Sequence, residues 1–205
     1  MNNKFFSILI LVIASTLVSC EKDKKAPPVD ENGLTEDVRN IIPDDVLEKI
    51  KELGTVINGG NKPPIIEGEY LVSPLIISAS NFSENLSSFG RMNMNLTFSN
   101  QNNTDLSVVV DYQKNYFDRG RSLTGTGLGA FITGEGNKFS AFFVVDGTSV
   151  SGYYKSVEVI SGEISADGIK NWQRAYIMVE DNPSTIKKGQ GRLNIDDDNL
   201  VERVD

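Results

Sequence analysis

From Ile65 onward, apolar residues recur at every second position, the period of a strand with one buried and one wet face. The clearest run is RMNMNLTFSN, where Met92, Met94, Leu96 and Phe98 alternate with Arg91, Asn93, Asn95, Thr97 and Ser99. Ile66, Gly68, Tyr70 and Val72 repeat the pattern, as do Leu106, Val108, Val110 and Tyr112. KFSAFFVV at 138–145 is apolar on both faces, as a strand is when something covers its outer side. SVSGYYKSVEVI, GIKNWQRAYIMV and GQGRLNI supply further strands. Turn-forming clusters separate them at 100–105, 134–137, 146–147, 166–168 and 181–184. The expectation is an all-β domain over 65–195. About eight antiparallel strands would close as an up-and-down barrel or fold as a β-sandwich, since either protects its edges.

Upstream the period is helical. In PDDVLEKIKELG, Val46, Leu47, Ile50 and Leu53 share one face, and Gly54 offers a stop. Asp45 and Glu48 stand at capping-box spacing, with Asp in place of Ser or Thr. So short a helix is marginal alone in water, so its stripe must dock on the β domain. Residues 41–64 thus read as a short helix and its connection, and TEDVRNII at 35–42 adds a helical turn or two. Residues 20–40 are charged, hold Pro27-Pro28 and lack aromatics, which predicts a flexible linker. Residues 196–205 read as an acidic tail. Asp196, Asp198 and Glu202 offer calcium-type oxygens, but the glycine of an EF-hand loop is missing, so a solvated tail is expected.

The first twenty residues follow a third pattern. Asn2, Asn3 and Lys4 precede an apolar run from Phe5 to Val18, shorter than the about 20 residues a membrane span needs. Leu17-Val18-Ser19-Cys20 resembles a lipobox, the cleavage motif of bacterial lipoproteins. The resemblance implies a signal peptide over 1–19, cleavage before Cys20, and fatty acyl chains such as palmitate on Cys20. Several chains anchor stably, each buried methylene contributing about 0.8 kcal/mol. The implied location is the bacterial cell envelope, lipid-anchored at the outer membrane. The charged run Glu21-Lys22-Asp23-Lys24-Lys25 leans toward the surface-facing leaflet over the periplasmic one.

Composition narrows the chemistry. The chain carries 20 basic and 28 acidic residues; without residues 1–19 the formal charge is −9. Such a chain repels nucleic acid, so none is expected as a partner. It has no histidine, which excludes Ser-His-Asp catalysis and His-ligated zinc. With the single cysteine acylated, no thiolate remains. Carboxylate chemistry is what is left, with Glu67, Glu69, Glu135, Glu158, Glu163 and Glu180 as candidates by type alone. TGTGLGAFITGEG has phosphate-loop glycines but no following helix, so its glycines read as barrel curvature or close backbone approach. No cofactor, no metal and no enzymatic activity are expected.

Gly68-Glu69-Tyr70 and, at the far end, Gly191-Arg192-Leu193 carry a second resemblance. A short helix entering a Gly-x-aromatic strand, followed by a meander, is similar to lipocalin-type (calycin) barrels. In that family a Gly-x-Trp opens the first strand and an arginine of the last strand packs over the Trp. Here Tyr70 replaces the Trp, and the family's Thr-Asp-Tyr turn is not evident. Residues 42–80 also resemble secreted lipoproteins of Gram-negative bacteria, which implies a location and no activity.

Aromatics are the remaining signal. In Tyr153-Tyr154 one ring should point inward and the other outward. QKNYFDRGR at 113–121 combines two rings with three basic residues in an acidic protein. Tyr112, Tyr116, Phe117, Arg119, Tyr154 and Trp172 are therefore the candidate ligand-binding residues. The expected function is non-enzymatic binding of a small apolar ligand or glycan. A structural or adhesive module docking on an envelope protein is the alternative, and a carboxylate-dependent hydrolase is a third.

Overall fold

The computed structural model describes residues 25–116, 121–149, 152–181 and 186–204. Cys20 and its signal segment, Phe117 and Arg119 lie outside the described residues. The alternating stretches form long strands: β2 (Gly68–Ser80), β3 (Met92–Asn102), β4 (Ser107–Tyr116), β5 (Arg121–Glu135), β6 (Lys138–Ser149), β7 (Gly152–Ser165) and β8 (Gly168–Met178). Each pairs antiparallel with the next. Two short strands, β9 (Gly191–Asp196) and β10 (Leu200–Arg203), share the eighth place between β8 and β2. The strands thus close on themselves in a barrel-like ring that is not evenly round. A two-residue β1 (Asn61–Lys62) pairs in parallel with the end of β5, outside the ring.

Strand parity decides what fills the ring. Met92, Met94, Leu96 and Phe98 face inward and are fully buried, while Asn93, Asn95, Thr97 and Ser99 face out. One end, the floor, is packed with aromatic rings. Tyr70 meets Phe98 edge-on at 6.0 Å between ring centres, and Phe98 meets Phe139 at 5.9 Å. Such edge-to-face pairs add about 0.5–1.5 kcal/mol beyond the area they bury. At the other end, the rim, lie the connection 81–91 and the strand ends Tyr116, Arg121, Ser149 and Gly152.

KFSAFFVV is two-faced because it is covered on both sides. Phe139, Ala141, Phe143 and Val145 belong to the interior, whereas Phe142 joins Val157, Val159, Ala175, Ile177 and Leu193 on the outside. Helices α1 (Glu36–Ile41) and α2 (Asp44–Glu52) lie over that outer patch. Val46, Leu47, Ile50 and Leu53 all dock there, as their spacing predicts. Burying each such side chain stabilises by roughly 1.5–3 kcal/mol, which offsets the weakness of so short a helix. The capping box does not form. Pro43 is the N-cap, which shifts Asp45 into the first turn, where it pairs with Lys49 at 3.2 Å.

Two boundaries and one residue assignment differ from the sequence reading. The linker ends earlier than Asn40: Leu34 and Val38 are buried under the helical cover, and Asp30 holds Arg39 at 2.6 Å. Gly33 and Gly59 approach so closely that a side chain on either would strike the other's backbone. Residues 196–205 are not a solvated tail, because β10 completes the ring and Val201 is fully buried. Asp196 is buried too and accepts from the Ser73 amide at 3.0 Å. The third difference concerns the arginine over Tyr70. It is Arg203, whose guanidinium lies 5.7 Å from the ring centre and against Gly68. Arg192 sits at the rim instead, because β10 and not β9 pairs with β2 at Tyr70.

Candidate functional site

Above the aromatic floor, the inward positions turn polar. Tyr112 and Lys114 on β4, Ser156 and Glu158 on β7, Arg174 on β8 and Asn194 on β9 are all buried and project into the ring. Their neighbours on the same strand faces are Val110, Ile160 and Trp172, so parity alone carries charge into the interior.

Arg174 and Glu158 form the centre. The guanidinium donates to the carboxylate through Nε and Nη2 at 2.9 Å each, and the closest approach is 2.7 Å. Nη2 also donates to the Tyr112 hydroxyl at 2.8 Å, and that hydroxyl donates to Glu158 Oε1 at 3.1 Å. Ser156 adds a third donor to the same oxygen at 2.9 Å. The Arg174 guanidinium lies over the rings of Tyr112 and Tyr176, at 4.6 and 5.1 Å. Burial pushes the Tyr112 phenol well above its ordinary range, with Glu158 adding to the shift and Arg174 opposing it.

Lys114 stands beside this centre. Its ammonium donates to Asn194 Oδ1 at 3.2 Å, and its neighbours in register are Met94 and Leu123. Burial, then the charges of Arg174 and Arg192, pull its pKa down to about 7. Nearer the rim, Glu84 from the β2–β3 connection grips Arg192 through two bonds of 2.6 and 2.8 Å. Arg192 also donates to the Tyr176 hydroxyl at 3.3 Å and stacks over Phe89 at 4.4 Å.

A glycine explains how the largest ring of the site fits. Gly125 on β5 sits directly opposite Tyr112, and a Cβ there would collide with the phenol ring. Gly127 makes the same room for Phe143. Gly125 and Gly127 therefore serve close approach, Gly129 adopts a positive φ of 66° in open space, and the strand continues without a helix.

Of the candidate binding residues, the structure brings Tyr112 into this cluster and places Tyr154 close by. Tyr154 is buried and donates to the Thr124 carbonyl at 3.3 Å, whereas Tyr153 is 44% exposed. Trp172 is buried one inward step below Arg174, and its indole N–H has no hydrogen-bond partner among the described residues. It is a core residue and not a surface platform. The backbone of Tyr116 ends β4. Sequence reasoning missed Lys114, Arg174 and Asn194 as site residues and took Glu158 for a catalytic candidate by type alone. The signal was present: each is a polar residue at an inward-facing position of an alternating strand.

Glu67 is tied up outside the ring by the Gln101 amide at 2.8 Å. A separate shallow groove of about 290 Å³ lies at the rim, lined by Ile76, Ile77, Leu86, Ser87, Gly90 and Arg91. Among the described residues no helix is long and apolar enough to cross a membrane, and no group of three or more acidic residues could hold a metal. No family model, no curated protein and no solved structure matches this chain.

Proposed function

We propose that the chain is a lipid-anchored lipoprotein of the bacterial envelope, and that its barrel binds a small ligand without transforming it. The ligand would have an apolar body and a polar head, and the head would sit in the rim half of the interior. One observation carries this reading: six hydrogen-bonded polar side chains, three of them charged, are buried inside the ring. A buried ion pair is a poor stabiliser, because desolvation of the two charges rivals their attraction. Strongly perturbed groups inside a concavity cluster instead where ligands are handled. Met92, Met94, Leu123, Tyr154 and Met178 supply apolar wall beside the charges.

The anchor rests on Leu17-Val18-Ser19-Cys20, and the barrel's likeness to lipocalin-type proteins favours an interior ligand. The amide and hydroxyl side chains on the outer face of β3 suit an aqueous surface, with the acyl chains making the membrane contact. Trp172, the only tryptophan, lies one step below Arg174 and reports directly on the interior. Titration with octanoate or with octyl glucoside below its micellar concentration should give a saturable, one-to-one change in its fluorescence. Tyr112→Phe should weaken binding by about tenfold, the worth of one buried hydrogen bond. A flat response to both ligands would contradict the proposal.

A further inference from the structure

The outer wall of the ring has two unlike halves. Over β6–β9 it is apolar and lies under the helices. Over β3–β5 the outward side chains are exposed or half-buried, and nearly all are amides or hydroxyls. Strand register aligns them in rows. Asn95 stands opposite Gln113 and Gln113 opposite Thr124, all three exposed. The next row is Thr97, Asp111 and Thr126, and on the rim side Asn93 stands opposite Asn115. Ser99 ends the strip toward the floor. At about 3.3 Å per residue and about 4.8 Å between strands, the strip measures about 20 by 10 Å. Among the described side chains of these rows Asp111 alone is charged, and Thr126 donates to its carboxylate at 2.7 Å.

Neither composition nor propensity accounts for such a strip. Charged residues make up 23% of the chain, and wet strand faces are where they ordinarily go. Asparagine is depleted in strands, yet β3 carries Asn93 and Asn95 side by side on its outer face. A local preference overridden where no packing demands it marks a surface kept for contact. We propose that the outer face of β3–β5 binds a neutral polysaccharide laid across these rows. An amide donates and accepts at once, which matches a sugar hydroxyl that does the same. Uncharged groups also give up water at less cost than ions do. A polymer without charge escapes the repulsion that an acidic chain exerts on polyanions. The strip lies across the wall from the interior cluster, so it acts beyond the small-ligand reading and independently of it.

Native gels cast with dextran, laminarin, starch or galactomannan test it, with the full chain held in a detergent that carries no sugar. At least one of these neutral polymers should retard the chain, and alginate, a polyanion, should not. Replacing the central row together, Asn95→Ala with Gln113→Ala and Thr124→Ala, should weaken the retardation by at least about tenfold. Circular dichroism and unchanged Trp172 emission check that this variant folds. A second variant, Asn93→Thr with Asn95→Thr, exchanges amides for better strand formers. It should unfold at higher urea than wild type and still lose retardation. Free migration in every neutral gel would overturn the proposal, as would variants retarded like wild type. Retardation by alginate alone would overturn it in favour of a charged ligand. A wild-type dimer that the triple variant abolishes, without retardation by any polymer, would assign the strip to a second copy of the chain instead.

Discussion

Lys114 and Asp196 are two residues whose acid–base behaviour the fold changes in opposite directions for stability. Lys114 loses its proton near 7 in the barrel and near 10.5 in the unfolded chain. Between those values the unfolded chain binds more protons, so stability should climb with pH by up to about 1.4 kcal/mol per unit. Asp196 behaves oppositely. Burial, and then Asp198 beside it, raises its carboxyl from 3.8 to about 6. Across that window the folded chain holds the extra proton, so stability should fall as pH rises. The two groups together predict a stability minimum between about pH 6 and 7. The sequence has no histidine, so no side chain with an ordinary pKa obscures this window. Urea unfolding at pH 4 to 10 checks it. Lys114→Met should flatten the alkaline rise and Asp196→Asn the acidic fall. Curves parallel to wild type in both variants would contradict the assignment.

At the scale of elements, the helical cover and the ring are held by different contacts. Ile50 is fully buried against the outer patch and touches none of the interior cluster. Ile50→Ala should therefore cost about 2–5 kcal/mol in urea unfolding while leaving Trp172 emission in the folded state unchanged. A shifted emission would mean that the cover and the interior are one packing unit. The strands and α2 were legible because alternation and helical spacing are local properties of the chain. The helical turn expected over 35–42 is α1, but the burial of residues 34 and 38, and the strand 200–203, were not legible. Their apolar content is two isolated side chains in one case and Leu200-Val201 among charged residues in the other, too little to rise above a charged background. Both were recruited by surfaces made elsewhere, namely the outer patch of β6–β9 and the gap between β8 and β2. The capping box failed for a related reason: the N-cap is Pro43, two residues earlier than the motif requires.

The whole molecule combines an aromatic floor, a polar upper interior and a helical plaster on one side of the ring. The membership of the inner face was readable strand by strand, since Tyr112, Lys114, Glu158 and Arg174 all obey the period of two. Their meeting was not readable. Glu158 and Arg174 lie on adjacent strands, but Lys114 and Asn194 are 80 residues apart and touch only because the ring closes. Closure is also why Arg203, from the last strand, reaches Tyr70 in the first. The central claim is that the buried charges exist for a ligand and not for stability. Replacing both partners of the ion pair, Glu158→Leu with Arg174→Met, removes the charges together and avoids leaving one unpaired. Native mass spectrometry of the full chain from its own cells should show one small molecule per wild-type chain. The folded double variant, of equal or greater stability in urea, should be empty. A wild-type chain without bound molecule, or a double variant carrying the same one, would contradict the account.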